Sequence, residues 1–355
     1  MDAVRLDDMK KIMSILEKAP FLAQERGVFG RTALIMAASV DSPPDCVRAL
    51  IPFSDANAID NTGRTALMHA AGGGYAERVQ MLLEVSDAKV ADGGGQTALM
   101  MAAATRSTAC VKALLPRSNA NAVDEMGRFA LFHAFGVGAA PEPVEIVRLL
   151  APATSPRLIK SRLEIQRQTV LMLAAIEGAA ECVKLLLPKS RPDEQDEEGR
   201  TALTLALQSG WPGAPDAIRA LLAVSDPNKE KTSGENALFT AVGRGDAEFV
   251  RFLFPLCEKK GNVIGTTALD VARVMEKPGV IDVFSSLIEP DELADLVKTH
   301  GAENMPQAAA RLEAMELQAE IKKEPKTPVL GAPGFGSALA LADGGLPPRK
   351  TRGRL

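Results

Sequence analysis

The chain has 355 residues, 46% of them apolar and 24% charged, with a net charge of −4. That length allows two ordinary domains or one long array, and the charge argues against a nucleic-acid binder taken as a whole. No run approaches the roughly 18 apolar residues of a membrane span.

The first predicted element is a helix over Asp7 to Glu17, "DDMKKIMSILE", with Met9, Ile12, Met13 and Leu16 on one side. Its charged surroundings show no secretory signal. It reads as an N-terminal capping helix within a segment 1–29.

From Gly30 one short stretch recurs. "GRTALIMAA" at Gly30 is followed by "GRTALMHAA" at Gly63, "GQTALMMAA" at Gly95 and "GRFALFHAF" at Gly127. A copy at Arg167, "RQTVLMLAA", lacks the leading Gly, and further copies open at Gly199, Gly234 and Gly265. Aligned on Thr32, Thr65, Thr97, Phe129, Thr169, Thr201, Asn236 and Thr267, the spacings are 33, 32, 32, 40, 32, 35 and 31. A period near 33 marks a unit that cannot bury its own face and must stack on copies of itself.

Within each unit the Thr or Asn offers a side-chain oxygen to cap a helix. A short Ala-rich helix follows, then a turn. A second helix carries V-x-x-L-L, as in Val79 with Leu82 and Leu83, or Val111 with Leu114 and Leu115. That spacing makes one apolar stripe. The second helix is expected to stop at Pro52, Pro116, Pro152 and Pro188, because proline cannot continue the hydrogen-bond ladder. Units one, four and six carry long helix–helix turns: "SVDSPPD", "FGVGAAPEP" and "SGWPGAP".

After the last unit come two more predicted helices, Pro290 to Gly301 and Pro306 to Lys323, read as a C-terminal cap over 290–323. Residues 324–355 are rich in Gly, Pro and Ala without periodicity and are expected to be disordered. From Lys322 onward seven Lys/Arg face two Asp/Glu, a balance of +5 that leaves −9 for the rest. The ending "RKTRGRL" is either a solubilising tail, a nuclear import signal, or, in an effector or regulator, a contact for nucleic acid or an anionic surface.

The repeated "G-x-T-A-L-x-x-A-A" and "V-x-x-L-L" over Gly30 to Ile288 resemble ankyrin repeats. The resemblance implies an all-α solenoid of about eight helix-turn-helix units over 30–289, with β-hairpin-like fingers and a concave face that binds proteins. The sequence departs from that family in carrying T-A-L-M where the family has T-P-L-H. The usual His is replaced by Ile35, Met68, Met100, Phe132, Met172, Thr204, Phe239 and Asp270. His69 and His133 sit one place later. The glycine that ends the outer helix is also missing, as in Ser54-Asp55 and Ser86-Asp87.

Catalysis finds no support in these residues. His69 and His133 lie two units apart and cannot share a metal or a proton. No two cysteines stand at C-x-x-C spacing, and "GGGQT" lacks the G-K-[ST] ending of a phosphate loop. Cys46, Cys110 and Cys182 occupy one apolar position in three units, too far apart for disulfides, which points to a reducing cytoplasm. No cofactor and no metal is expected.

What remains is a surface for a protein partner. The resemblance places contacts at the finger tips and inner-helix ends, which gives Arg64, Gln96, Met126, Arg128, Phe135, Arg200 and Arg244 as candidates, with Trp211 on the opposite turn. Arg31, Arg64, Arg128 and Arg200 recur at one finger position. They form either a ladder of cations for an acidic partner or a set of tolerated exposed residues. Met126, Phe135 and Trp211 are the large apolar anchors, although Trp211 equally suits packing on a neighbouring unit. The chain is expected to be a monomer.

Overall fold

The computed structural model describes residues 17–39, 43–135, 143–163, 166–258, 261–262 and 266–287, with single helical positions at Ser14, Ala294, Lys298, Ala310, Leu312 and Glu313. The chain divides into two units, Met1–Glu289 and Pro290–Leu355. The second holds only five of the single positions. The N-terminal and C-terminal capping helices, Val40, the core of "FGVGAAPEP" and the tail 324–355 therefore lie almost wholly outside the described residues.

The first unit is a stack of helix pairs. The inner row consists of α1 (Ala33–Ser39), α3 (Ala66–Gly72), α5 (Ala98–Ala104), α7 (Ala130–His133), α10 (Val170–Ile176), α12 (Ala202–Gln208), α14 (Ala237–Arg244) and α16 (Ala268–Val274). The outer row is α2 (Pro44–Leu50), α4 (Ala76–Leu83), α6 (Thr108–Leu114), α8 (Val144–Ala153), α11 (Ala180–Leu186), α13 (Ala214–Leu222), α15 (Ala247–Leu253) and α17 (Pro278–Leu287). Each inner helix packs on the next inner helix along the chain. All are four to ten residues long, below the length at which an isolated helix holds in water. Stacking, rather than propensity, maintains them.

The repeated letters explain the packing. Leu34, Leu67, Leu99, Leu131, Leu171, Leu203 and Leu238 are all buried, as are Val47, Val79, Val111, Val147, Val183 and Val250. Alanines between them let successive inner helices approach. The expected caps form: Met68 N–H donates to Thr65 Oγ1 at 3.3 Å, Met172 N–H to Thr169 Oγ1 at 3.3 Å, and Phe239 N–H to Asn236 Oδ1 at 3.4 Å. Phe129 has no such oxygen and its helix, α7, is four residues long. Where the family's His is replaced by Thr204 or Asp270, a reciprocal bond returns. Thr201 N–H donates to Thr204 Oγ1 at 2.8 Å, and Thr267 N–H to Asp270 Oδ2 at 2.9 Å.

Pro52, Pro116 and Pro188 stand in 3-10 turns that directly follow the outer helices. Pro152 departs from expectation, since α8 continues to Ala153. A helix can carry Pro in its last turn, because the carbonyl lost as a partner belongs to the same helix end. The four cysteines are buried and form no disulfide. Burial pushes the thiols of Cys46 and Cys110 up and that of Cys257 to about 11.

The fingers differ from the hairpins expected of them. Among the described residues there is no β-strand, and one isolated antiparallel bridge joins Ala91 to Thr97. No described helix is long and apolar enough to cross a membrane.

The spacing of 40 after Phe129 also resolves differently from the reading of one long helix–helix turn. Unit three runs 11 residues from Thr97 to the start of its outer helix at Thr108, whereas unit four runs 15 from Phe129 to Val144. From those helix starts to the next anchor the counts are 21 and 25. The insertion is therefore split, four residues in the turn and four in the following finger. There an additional short helix, α9 (Pro156–Ile159), is capped by Ser155 and buries Ile159.

Candidate functional site: the finger row and its cavity

Four of the fingers are each closed by one aspartate that the motif search passed over. Asp60, Asp92, Asp124 and Asp196 stand five residues before the capping anchor, in "DNTGR", "DGGGQ", "DEMGR" and "DEEGR". One carboxylate oxygen of each accepts the N–H groups two and four residues on. For Asp60 these are Thr62 at 2.9 Å and Arg64 at 3.0 Å; for Asp124 they are Met126 at 3.0 Å and Arg128 at 2.8 Å. The second oxygen receives a histidine in two units, His69 Nε2 at 2.8 Å from Asp60 and His133 Nε2 at 3.0 Å from Asp124. A carboxylate is acceptor-only when ionised, so the ring nitrogen is the donor. Burial works against the charge of Asp60, but hydrogen bonds from Thr62, His69 and Arg64 outweigh it and hold the carboxyl far below its usual range. Asp124 is likewise lowered, burial being overcome by Arg128 and His133.

These aspartates also decide the arginine ladder. Arg31 Nε lies 3.6 Å from Asp60, and Arg64 Nε lies 3.0 Å from Asp92, so each reaches forward to the next finger. Arg128 and Arg200 fold back on their own fingers, to Asp124 at 2.9 Å and Asp196 at 2.7 Å. The sequence gives a local reason: at the matching offset the next finger carries Glu164 and Lys231, respectively, in place of Asp. All four cations are thus paired inside the chain, which favours tolerated surface residues over a ladder for an acidic partner. The recurring Asp was legible in the sequence as a fixed offset.

The fingers also bind one another. The backbone N–H of Asn61 donates to Phe29 at 3.0 Å, Gly93 to Thr62 at 3.0 Å, Glu125 to Gly94 at 3.1 Å, Glu197 to Gln166 at 3.4 Å and Thr232 to Glu198 at 3.0 Å. In every case the acceptor is the residue just before the leading Gly or, in unit five, before Arg167. For Met126 the matching donor position is 165, which lies outside the described residues.

The glycines show how closely successive fingers approach. Their φ values are positive, +80° at Gly63 and +73° at Gly127, a region only glycine occupies without cost. A Cβ on Gly63 would meet Gly93 N at 2.7 Å, one on Gly95 would meet Asp124 Cα at 3.1 Å, and one on Gly199 would meet Lys231 Cα at 2.9 Å.

A cavity of about 330 Å³ is lined by residues of units four and five. Phe132, Phe135, Leu163 and Leu173 supply apolar wall, and Met126, Arg128, His133, Gln166 and Gln168 the remainder. Three of the sequence candidates, Met126, Arg128 and Phe135, are thereby brought together. Met126 is 46% exposed and available, whereas Phe135 is 5% exposed and belongs to the core as much as to the cavity. Burial and the neighbouring Arg128 cation push the His133 imidazole down against the pull of Asp124, so it stands neutral at pH 7.

The other candidates lie elsewhere. Arg64 and Gln96 sit on the fingers of units two and three, and Arg200 on that of unit six. Arg244 Nη1 donates to Leu207 O at 3.0 Å and to Ser209 O, tying α14 to the end of α12. Trp211 is 41% exposed, and its Cβ would stand 2.9 Å from a Cβ on Gly178, so the base of its side chain lies against unit five while the residue keeps free surface. Arg117 and Lys189 make comparable carbonyl links between outer helices, to Leu83 O and, at 2.9 Å, to Ala151 O. Among the described residues no group of three or more His, Cys, Asp and Glu is placed to hold a metal ion.

Comparison with known proteins agrees with this architecture. A search of the curated proteins finds no significant match. The family described as ankyrin repeats matches in three overlapping copies, over residues 1–92, 73–158 and 139–231. With paired short helices stacked in register, a glycine in the left-handed region before nearly every capping Thr, and that match across well over half its length, the chain belongs to the ankyrin-repeat family.

Proposed function

We propose that the chain is a non-catalytic interaction module that binds a partner protein through its finger tips and inner-helix ends, with the contact centred on the cavity lined by units four and five. Ankyrin repeats are in general protein-interaction modules. The observation that carries this reading is the meeting of exposed Met126 with Arg128 and Phe135 around one cavity. Large apolar side chains in a desolvated pocket provide most of the energy of a protein contact. Arg64, Gln96, Arg200, Trp211 and Arg244 would serve as the surrounding rim. Buried thiols with raised pKa values support a reducing compartment such as the cytoplasm.

The test is affinity capture from a native extract with the full chain and with residues 1–321. A protein retained by both supports the repeats as the binding surface. Retention only by the full chain, or retention of nucleic acid alone, moves the function to the basic segment 322–355 and overturns the reading.

A further inference from the structure

One position of the finger, six residues before each capping anchor, is apolar through the middle of the array. It is Ile59 in unit two, Ala91 in unit three, Val123 in unit four and Leu163 in unit five. Ile59 is 43% and Val123 47% exposed, and Ala91 is exposed as well. Unit one has the cation Arg26 there, and units six and seven have Gln195 and Glu230. Arg26 is exposed and its Nη1 donates to Ile59 O at 2.8 Å, so the guanidinium lies at the end of the apolar line. Leu163 stands at the other end, in the wall of the cavity.

The fingers fix the step of this line. Within a finger the two limbs are joined backbone to backbone: Asp60 N–H donates to Arg64 O at 3.0 Å, Asp92 to Gln96 at 2.9 Å and Asp124 to Arg128 at 2.8 Å. Between fingers the bonds from Gly93 to Thr62 and from Glu125 to Gly94 repeat the same kind of link. Two hydrogen-bonded spacings of about 4.7–4.9 Å bring equivalent residues of successive fingers to about 10 Å. Seven residues of an α-helix rise about 10.5 Å.

We propose that Ile59, Ala91 and Val123 receive an amphipathic helix of the partner protein, laid along the finger row. One large apolar side chain of that helix sits over Ala91, the smallest of the three. Further apolar residues, one heptad away on either side, pack against Ile59 and Val123. An acidic residue one heptad beyond Ile59 meets the Arg26 cation. The inference rests on the protein-binding function proposed for the repeats and adds the form and the residue pattern of the bound element.

An extended segment with an apolar residue at every third position would match the same step, at about 3.3 Å per residue. A strand, however, gains its affinity from backbone hydrogen bonds to an edge. Along this line Ile59 O is held by Arg26, and the N–H groups of Asp60, Asp92 and Asp124 are held by the opposite limbs of their own fingers. A helix satisfies its own backbone and asks of the surface only side-chain contact, which is what the line offers.

The experiment pans a phage library of helical peptides, about four heptads long, on the full chain. Enriched peptides are titrated by fluorescence anisotropy against wild type, Ile59→Glu, Val123→Glu and Arg26→Glu. Val85→Glu is the control, because Val85 is apolar and 43% exposed in unit two but lies off the line. All four substitutions fall on exposed side chains, and circular dichroism checks that each variant keeps its helices. The expected result is a set of peptides with apolar residues seven apart, binding at least about tenfold more weakly to Ile59→Glu and Val123→Glu and as tightly as wild type to Val85→Glu. Replacing the peptide's acidic residue by Lys should weaken binding to wild type and restore it to Arg26→Glu. Peptides that bind Ile59→Glu and Val123→Glu as tightly as wild type overturn the proposal. So do enriched peptides without that spacing, an equal loss on Val85→Glu, a charge exchange without effect, or no enrichment at all. The capture experiment decides separately whether the repeats bind protein, so the wider reading can stand where this one fails.

Discussion

Arg106 Nη2 and Glu177 Oε2 lie 2.7 Å apart, an ion pair that joins unit three to unit five across unit four. Both side chains are 13% exposed. Arg106 also donates through Nε to Ala134 O at 3.1 Å, so one guanidinium holds the short helix α7 as well as its neighbour on the far side. Unit four has the four-residue inner helix, no oxygen at its capping anchor and an insertion on each side of α8. The bridge compensates where the local signals are weakest.

Breaking that bridge should therefore loosen the middle of the stack. Arg106→Ala removes a charge-assisted pair and a carbonyl partner at a mostly buried site, and should cost about 2–3 kcal/mol. Glu177→Gln keeps a hydrogen-bond acceptor and should cost about half as much. A double-mutant cycle by urea unfolding reads the coupling; additive losses would show that the two side chains do not act together.

Arg167 offers a stabilising change. It stands where the other fingers have Gly, at φ +52°, and a non-glycine residue in that region costs roughly 1–2 kcal/mol. Arg167→Gly should raise stability by about 0.5–1 kcal/mol after the greater chain entropy of glycine is set against the relieved strain. The midpoint of urea unfolding measures it; a decrease would mean that the Arg167 side chain contributes more than its backbone costs.

How far the sequence carried this picture depends on which residues spoke locally. The anchors Thr65, Thr97, Thr169 and Thr201, and the leucines two places after them, announce helix starts and core positions because each acts within its own unit. The recurring Asp60, Asp92, Asp124 and Asp196 are as regular, but their role needs the partner N–H groups and the next finger's arginine to be seen in space. The split of the insertion around α8 was hidden because a spacing of 40 gives its size, not its division. "FGVGAAPEP" drew attention to one half, while the other half lay in unremarkable residues around Pro156–Ile159.

Unit four should also respond to acid in two stages. The His133 imidazole is held below its ordinary value of 6.5, by burial first and then by Arg128, so the unfolded chain binds its proton more readily than the folded one. Its contribution is full above about pH 6.5 and declines as pH falls through the lowered folded value. Asp124 is held below its ordinary 3.8, so its contribution is full above that point and declines only at lower pH. Both effects have the same sign: acidification destabilises the finger that borders the cavity. Wild type should therefore melt at a lower temperature at pH 5.5 than at pH 7.5, and His133→Asn, which has no proton to gain, should show a smaller difference. The melting series separates this site from the rest of the chain, because His69 and His300 remain in both proteins. An equal pH response in the variant would place the titration elsewhere and would leave the Asp124 carboxylate as the acid-sensitive group of this finger.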